Sequence, residues 1–261
     1  MLESLKSISY PHVEIIVVEN GSSHTKADEM RQRFPGVKLI ISEQNLGFAG
    51  GNNLGIRASS GEYIMLLNND TEVDPHFLEP LVQKCMDDRS LGAVSPKIYF
   101  AHSPGLLQFA GFSEMDMIRV RNHGWGYAKE DTGQFDQDRE SYFAHGAAMM
   151  VPRSVIEKVG LMAEIFFLYY EEMDWALRIR RAGYRIMYVH NSRIYHKESV
   201  STGRDSPLKT YYMNRARILF LRRNTSGLTR FLAFMYQYFL SFPKNTLVFI
   251  YRRRLDLLKA Y

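Results

Sequence analysis

The stretch His12-Val-Glu-Ile-Ile-Val-Val18, continued by Glu19-Asn-Gly-Ser-Ser23, decides the fold class of this chain. Its first half is a run of β-branched apolar residues, which is typical of a strand buried on both faces of a parallel sheet. Its second half is a polar, glycine-containing turn of the kind that ends a strand. The stretch therefore predicts a buried parallel strand that enters a turn at Glu19.

Strands and helices alternate along the rest of the chain. Strands are predicted at 37–42, 62–67, 92–99 and 185–189, and helices at 25–34, 49–59, 75–86 and 154–159, followed by one that stops at Gly183. Such alternation predicts an α/β fold with a doubly wound, mostly parallel sheet and flanking helices. Residues 102–140 mix glycine, aromatic and charged side chains with no helical period, so irregular strands and loops are expected there.

Length and composition fit one large domain with an appendage. The 261 residues are 46% hydrophobic and 13% aromatic, which is enough to bury a substantial core. We expect an α/β domain over residues 1–205 and a basic, aromatic helical tail over residues 206–261. The single cysteine, Cys85, cannot form an internal disulfide, and no apolar signal region opens the chain, so a cytoplasmic location is expected.

The tail is the part of the sequence that indicates a membrane surface as a partner. The net charge is +5, and many of the arginines lie late in the chain, including Arg252 to Arg254. The apolar run Phe231–Phe242 is interrupted by Gln237, so it falls short of the roughly 20 clean residues needed to span a bilayer. Aromatic residues beside arginines favour a peripheral position at the inner face of the cell membrane. Docking on the domain or on a second subunit is the alternative.

A glycine-rich turn, Asn45-Leu-Gly-Phe-Ala-Gly-Gly-Asn-Asn-Leu-Gly55, lies between a predicted strand and a predicted helix. Glycines let the backbone approach a ligand, and amides at a helix start favour an anion. The turn lacks the Lys-Ser/Thr pair of a phosphate loop and the G-x-G-x-x-G dinucleotide fingerprint, so neither site is predicted. No helix-turn-helix, zinc-finger or RNP-like pattern is present, and nucleic acid is not an expected partner.

Asn68-Asn-Asp70 follows a predicted buried strand. An acidic residue at the carboxyl end of a strand points into the crevice where open α/β sheets bind ligands, and hard oxygen ligands suit Mg²⁺ or Mn²⁺. Such an ion can bridge a diphosphate and neutralise it as it leaves. The alternative is a turn that caps the helix starting at Pro75, but Asp74 is better placed for that task, which leaves Asp70 free.

Three carboxylates, Glu171, Glu172 and Asp174, open the helix that stops at Gly183. The helix dipole favours acidic residues at this end, but three exceed what capping requires. Any one of the three that faces a pocket could take a proton from a hydroxyl nucleophile, while another orients neighbours such as Arg178. His196, near the end of the predicted domain, is compatible with a metal or phosphate ligand, although a lone histidine is more often a surface or core residue.

Six motifs occur in a fixed order that resembles glycosyltransferase family 2, especially its rhamnosyltransferase-like members. They are Ile15-Ile-Val-Val-Glu-Asn-Gly-Ser22, Asn45-Leu-Gly-Phe-Ala-Gly-Gly-Asn-Asn53, Leu66-Leu-Asn-Asn-Asp-Thr71, His145-Gly-Ala-Ala-Met-Met-Val151, Tyr169-Tyr-Glu-Glu-Met-Asp-Trp175 and Tyr195-His-Lys197. The resemblance covers about residues 3–203. It implies a GT-A fold, a UDP- or dTDP-sugar donor, a Mg²⁺ or Mn²⁺ ion, and inversion at the anomeric carbon. The acceptor would be a glycan or lipid-linked glycan of cell-envelope polysaccharide synthesis.

The resemblance also implies a role for each matching residue. Glu19 takes the place of an aspartate that contacts the base or ribose, and Asn68 and Asp70 match the first and last positions of the metal motif, with Asp70 as the metal ligand. Glu172 falls on the catalytic base, and His196 on a histidine associated with metal and diphosphate. The residues expected to line the nucleotide are Gly47, Ala49, Gly50 and Asn53, while Gly146 and Ala147 would lie by the sugar and acceptor.

The match departs from the family pattern in three respects. Glu19 and Glu172 are one methylene longer than the usual aspartates, and Asn68 weakens the charge compensation of a metal. The match also begins inside a helix that normally follows a first strand. Either the chain is a fragment, or its start lies upstream, or another segment fills the gap, and otherwise we expect the strand at Val13–Val18 to have an unpaired edge. A catalytically inactive binding or assembly protein of the same fold is the alternative function. A sugar-phosphate nucleotidyltransferase finds no support, because no glycine-rich start with a following basic residue is present.

Overall fold

The structure, a computed structural model, describes residues 1–22, 27–197 and 206–261. The first residues of the helix predicted at 25–34 and the predicted domain boundary at 205 lie outside this range. The helices are α1 (Leu2–Leu5), α2 (Ala27–Arg33), α3 (Gly47–Ala58), α4 (Leu78–Asp87), α5 (Arg153–Val159), α6 (Glu171–Arg181), α7 (Pro207–Asn224), α8 (Gly227–Tyr236), α9 (Phe242–Tyr251) and α10 (Leu255–Ala260). A 3₁₀ turn spans Glu164–Phe166, and a π-helical segment, Gln237–Ser241, joins α8 to α9.

The strands form two sheets. They are β1 (Ile15–Asn20), β2 (Val37–Ser42), β3 (Tyr63–Leu67), β4 (Thr71–Val73), β5 (Leu91–Phe100), β6 (Ser103–Phe109), β7 (Lys129–Glu130), β8 (Arg139–Glu140), β9 (Ala148–Pro152) and β10 (Arg185–His196). β1 and β2 pair with each other, and the other eight strands form a sheet whose central order is β3-β9-β5-β10-β4. We call these the small sheet and the main sheet.

The predicted α/β architecture is confirmed, but the pairing of the main sheet is not mostly parallel. Within the described residues, β5 and β10 are the parallel neighbours of that sheet, and its other pairs are antiparallel. β9 causes the difference, because it inserts between β3 and β5 in the opposite direction. Periodicity along the sequence predicts neither β9 nor β4, since short buried runs carry little information about strand direction.

The strand directions nevertheless place the site where the sequence indicates. β3 and β5 are both antiparallel to β9, and β10 is parallel to β5, so all three strands run the same way. Their carboxyl ends therefore lie on the same side of the main sheet. Asn68, the first residue after β3, and His196, the last residue of β10, are brought to this edge.

Two hydrophobic clusters cover the two faces of the main sheet. Alternate residues of a strand point to opposite faces, and adjacent residues of β5, Ala93 and Val94, accordingly belong to different clusters. One cluster includes Trp175 of α6 and Phe220 of α7. Helix α7, the first element of the predicted tail, is therefore part of the core that supports the sheet.

The small sheet is packed less completely. β1 was expected to be a buried parallel strand, and it is parallel to β2, but all six of its residues are only half-buried. Among the described residues β1 has no other strand partner, as expected for its edge, and β3 lies across a cavity of about 840 Å³. Helices α3 and α4 also line this cavity, which we call the interstrand cavity.

The end of the tail exposes much of its apolar surface. Large hydrophobic side chains that are at least 40% exposed run from α8 to α10, and they are Leu228, Phe231, Leu232, Met235, Tyr238, Phe239, Leu240, Phe242, Leu247, Ile250, Tyr251 and Leu255. In the part of the chain that the structure describes, every helix is too short or too polar to cross a membrane.

Candidate active site

The Asn68-Asn-Asp70 turn is fixed by backbone hydrogen bonds to two other parts of the chain. The Asn68 N–H donates to the Ala147 carbonyl at 2.9 Å, and the Lys197 N–H donates to the Asp70 carbonyl at 3.0 Å. Asp74 accepts from the His76 N–H at 3.0 Å in the turn before α4, but α4 begins at Leu78 without a side-chain cap, so the helix cap predicted at Asp74 is not formed. The turn therefore holds Asp70 at the shared edge of β3 and β10.

Asp70 and His196 face each other. The His196 Nε2 lies 3.1 Å from Asp70 Oδ1, and its Nδ1 lies 2.9 Å from the Oε1 of the buried Gln108. If Nδ1 donates to this amide oxygen, a neutral imidazole presents a lone pair from Nε2 to the carboxylate. Two lone pairs at this distance repel each other unless a cation, either a proton or a metal ion, lies between them.

Burial would raise the pKa of Asp70, but hydrogen bonding to His196 and its positive charge outweigh this and lower that pKa. Asp70 Oδ1 is buried, yet it makes no hydrogen bond of ordinary geometry among the described residues. An orphaned carboxylate oxygen beside an imidazole nitrogen is a ligand pair that suits a divalent cation, with substrate phosphates and water completing its shell. No cluster of three or more acidic, histidine or cysteine ligands occurs in the described ranges.

A second histidine, His145, supports this pair, although sequence reasoning did not single it out as a site residue. Its ring packs against that of His196 at 6.2 Å between centroids, and its Nδ1 accepts from the Ala147 N–H at 3.1 Å. Burial lowers the pKa of His145 to about 3, so the ring stays neutral. The only sequence signal was its place at the start of the His145-Gly-Ala-Ala motif, whereas Gln108 had none.

Glu172 lies against the same motif. A Cβ built on Gly146 would lie 3.6 Å from Glu172 Cγ and 3.9 Å from Oε1, which is ordinary van der Waals contact, so the two residues are neighbours. Burial raises the pKa of Glu172 above its usual range. A carboxylate with a raised pKa accepts a proton more readily, which suits a general base.

Glu171 and Asp174 share the start of α6 with Glu172, but their environments differ. Burial, followed by the negative charge of Glu172, raises the pKa of Glu171 well above its usual range, and its buried Oε2 has no hydrogen-bond partner in the described structure. Asp174 is 1% exposed and accepts from the side chains of Arg178, Arg223 and Asn224 at 2.9–3.0 Å. These donors outweigh its burial and lower the pKa of Asp174. Asp174 therefore anchors the helix, and it orients Arg178 as predicted.

The glycine-rich turn is built around a residue that sequence reasoning missed. Asn20, at the end of β1, donates to the Gly47 carbonyl at 2.8 Å and accepts from the Leu46 N–H at 2.9 Å. Gly47 has φ +70°, and a Cβ there would lie 2.1 Å from the Phe167 carbonyl oxygen, so only glycine fits. Helix α3 consequently begins in contact with the aromatic run before α6.

The remaining predicted nucleotide residues are buried, except for the half-buried Glu19. Ala49 is fully buried, and Gly50 is packed so closely that a Cβ would lie 2.6 Å from Leu46 Cβ. The Asn53 amide is also buried, and it donates to the Met162 carbonyl and to Glu164. These contacts commit the Asn53 side chain to the protein interior. Glu19 is half-buried at the end of β1, where it accepts from the Ser22 N–H at 2.8 Å.

These residues and the fold agree with the comparison to a protein-family model. The model "Glycosyl transferase family 2" matches residues 1–160, and the chain belongs to this family. It is 24% identical over 246 residues to an N-acetylglucosaminyl-diphospho-decaprenol L-rhamnosyltransferase of Mycobacterium tuberculosis, covering 87% of this chain and 80% of that protein.

Two further relatives are longer than this chain. It is 26% identical to the O-antigen biosynthesis protein RfbC of Myxococcus xanthus, with 81% of this chain and 17% of that protein covered. It is 31% identical to the low-salt glycan biosynthesis hexosyltransferase Agl10 of Haloferax volcanii, with 66% of this chain and 55% of that protein covered. The chain thus spans less than two thirds of either relative.

Solved structures share the fold. GalNAc-T7 with UDP, GalNAc and Mn²⁺ superposes with a TM-score of 0.68 at 17% identity, covering 85% of this chain and 44% of that one. The mannosyltransferase PcManGT of Pyrobaculum calidifontis with GDP-Man and Mn²⁺ superposes with a TM-score of 0.59 at 16% identity, covering 99% of this chain and 67% of that one. The predicted GT-A fold is confirmed.

Proposed function

We propose that this chain is an inverting glycosyltransferase, which moves a sugar from a nucleotide-diphosphate sugar to a hydroxyl group of a glycan or lipid-linked glycan. One observation carries the proposal. The Glu172 carboxylate, whose pKa is raised, lies against Gly146 in the motif whose next residue, Ala147, is hydrogen-bonded to the Asn68-Asn-Asp70 turn. A base for the acceptor and ligands for the departing diphosphate are therefore held by one connected set of elements.

Glu172 acts on the acceptor hydroxyl in this proposal. Its carboxylate takes the hydroxyl proton as the acceptor oxygen forms a bond to the anomeric carbon, and the bond from that carbon to the diphosphate oxygen breaks with its electron pair on the diphosphate. Attack on the face opposite the leaving group inverts the anomeric configuration. Gly146 and Ala147 would lie by the sugar and the acceptor, since Gly146 is a neighbour of the Glu172 carboxylate.

Asp70 and His196 would hold a divalent cation, Mg²⁺ or Mn²⁺, with Asn68 nearby. When bound, such an ion supplies positive charge to the departing diphosphate. Gln108 fixes the ring orientation of His196, and neutral His145 packs beside it. The Mn²⁺ in GalNAc-T7 and PcManGT supports this assignment as an analogy of fold.

The donor and the location follow from the same proposal. Glu19 would contact the base or ribose, and Gly47 and Gly50 would bring backbone close to the nucleotide, while Ala49 and Asn53 support the turn from inside. The relatives that act in rhamnosyl transfer or O-antigen synthesis favour a UDP- or dTDP-sugar and cell-envelope polysaccharide synthesis. The exposed apolar tail and its arginines support peripheral attachment at the cytoplasmic face of the cell membrane.

An inactive binding or assembly protein is the second candidate, and the interstrand cavity favours it. The cavity includes Asn20, Gly47 and Asn68 in its lining, so a gap between β1 and β3 adjoins the proposed donor site. Thermal stability with UDP, dTDP and GDP, each with and without Mn²⁺, separates the candidates, because a ligand that binds the folded state raises the melting temperature.

A metal-dependent shift with one nucleotide, together with turnover of its sugar that is lost in Asp70→Ala and Glu172→Gln, is the expected result. Full turnover in both variants would refute the site assignment. A cooperatively melting protein that responds to no nucleotide would favour the inactive candidate.

A further inference from the structure

A second cavity, of about 350 Å³, lies between α7 and the end of the tail. We call it the tail cavity. Its apolar part is formed by aromatic residues of α7, the tail helices and the last residue, namely Tyr211, Phe234, Tyr238, Phe242 and Tyr261. Tyr238 and Phe242 are 71% and 49% exposed, so the cavity is continuous with the apolar surface of the tail.

The polar part of the tail cavity is positively charged. Arg215 and Arg217 line it, and neither has a carboxylate within 4.0 Å among the described residues. Arg215 donates to the carbonyls of Ile165 and Phe166, and Arg217 donates to the Tyr170 hydroxyl at 3.3 Å. Between residues 206 and 261, eleven lysines and arginines accompany one acidic residue, Asp256, which pairs with Arg254. An anion is the missing partner that this arrangement accommodates.

Gln237 supplies an independent observation. It lines the tail cavity and is 7% exposed, and its Nε2 has no hydrogen-bond partner in the described structure. Burying an amide donor without a partner is unfavourable, so a residue of this kind in a cavity wall indicates a ligand acceptor. Gln237 also begins the π-helical segment, a local distortion that is frequent at functional sites.

The contact of Arg217 with Tyr170 connects the tail cavity to the catalytic helix, because Glu171 and Glu172 follow Tyr170 directly. We propose that the tail cavity binds the phosphate or diphosphate group of a lipid that carries the acceptor hydroxyl. The arginines and Gln237 hold the anion, and the hydrocarbon chain leaves along the exposed apolar surface. This inference rests on the proposed function, since it assigns the acceptor of the same active site.

Binding of farnesyl diphosphate to the full chain, measured by calorimetry below its micelle concentration, tests the cavity. Farnesol and inorganic pyrophosphate should each bind at least about tenfold more weakly, because each lacks one half of the recognition. Arg217→Ala and Gln237→Leu should each weaken the binding of farnesyl diphosphate by about tenfold or more, because each removes one good hydrogen bond to a charged group. Arg222→Ala, an exposed arginine of the same helix outside the cavity, should change affinity less than about twofold.

Gln237→Leu keeps the test decisive if Arg217→Ala does not fold, since removing an unpartnered buried amide does not destabilise the protein. Unchanged affinity in the folded variants would overturn the inference. If inorganic pyrophosphate binds as tightly as farnesyl diphosphate, the inference is overturned in favour of a site for free phosphate. Equally strong competition by phosphatidylglycerol vesicles would overturn it in favour of a bulk membrane lipid.

Steady-state kinetics separate this inference from the proposed function. Arg217→Ala should raise the KM for a lipid diphosphate acceptor and leave the KM for the donor unchanged. If Glu172→Gln abolishes turnover but Arg217→Ala leaves the acceptor KM unchanged, the cavity assignment alone fails. If no nucleotide sugar is bound or turned over while farnesyl diphosphate binding depends on Arg217, the proposed function fails.

Discussion

The main sheet and the small sheet contain strands of similar apolar sequence, but their surroundings differ. All ten residues of β5 are buried, whereas all six residues of β1 are half-buried, although β1 contains the run Ile15-Ile-Val-Val18. β5 has strand neighbours on both sides, while β1 has β2 on one side and the interstrand cavity on the other. Burial of an apolar strand therefore depends on what pairs with both of its edges, which its own sequence does not specify.

The difference extends to the candidate site. Asp70, His196 and Glu172 belong to elements of the main sheet and the helix packed on it, and Asp70 and His196 are fixed by contacts with other segments. Glu19 stands at the end of β1, where the supporting sheet has two strands. We therefore expect the chemistry to depend on the main sheet and the donor contact of the small sheet to be adaptable.

The largest expected effect is on catalysis. Glu172→Gln should lower kcat by about 10²–10⁴-fold, because it removes the proposed general base. Glu19→Gln, the same change at the end of β1, should cost about tenfold or less in the KM for the donor, which corresponds to one hydrogen bond. Steady-state kinetics on both variants compare the loss of kcat with the change in donor KM, and melting temperatures check that both variants fold. Equal losses of kcat in the two variants would contradict the distinction between the two sheets.

A second contrast concerns two carboxylates that each accept hydrogen bonds from protein groups. Asp174→Ala should destabilise the fold by about 1.5–3 kcal/mol, because it removes a buried carboxylate that accepts hydrogen bonds from half-buried Arg178, exposed Arg223 and buried Asn224. Glu14, just before β1, accepts from Ser60 and Gly61 but is exposed, and Glu14→Ala should cost about 1 kcal/mol or less. Urea unfolding of both variants measures the difference.

The effect of Asp174→Ala should depend on pH. The folded-state pKa of Asp174 is lowered, so its contribution is present above its unfolded pKa of about 3.9 and is lost as pH falls through the lower folded value. The gap in stability between wild type and variant should therefore narrow in acid. A gap that stays constant down to about pH 2 would show that packing, not charge, holds this helix.

A matched pair of isoleucines tests the sheets themselves. Ile98→Ala in β5 should cost about 2–5 kcal/mol, because the side chain is fully buried and leaves a cavity. Ile16→Ala in β1 should cost about 1 kcal/mol, since the side chain is half-buried beside an existing cavity. Comparable losses in urea unfolding would mean that the interstrand cavity is closed in solution.

The smallest expected effect is a gain. The folded-state pKa of Glu171 is raised, so wild-type stability falls as pH rises from the unfolded value of about 4.3 through the folded value. Glu171→Gln removes this fall and should be more stable than wild type by about 1 kcal/mol near pH 8, with no gain near pH 4. Thermal melting across this range tests the sign of the change in stability, and a destabilised variant at both pH values would show that the hydrogen bonds of the carboxylate outweigh the cost of its burial.

The sequence by itself determined the order of the elements and the residues that are able to take part in catalysis or binding. Val37–Ser42 was predicted with its observed bounds, and the turn after β3, the acidic helix and His196 were identified because a motif needs only neighbouring residues to be recognised. The longer β10 and the unpredicted β9 show where this information ends, since strand extent and direction depend on partners distant in the chain.

Only the tertiary structure decided which of these residues meet. Gln108 and His145 become partners of His196 because β6 and the turn before β9 are brought to the end of β10, and no local pattern encodes this proximity. The tertiary structure also gave three neighbouring carboxylates different surroundings: Asp174 is anchored by three donors, Glu171 has one unpartnered oxygen, and Glu172, the proposed base, lies beside Gly146. It left β1 half-buried, because the free energy of burying an apolar strand is realised only when neighbours cover both of its edges and faces.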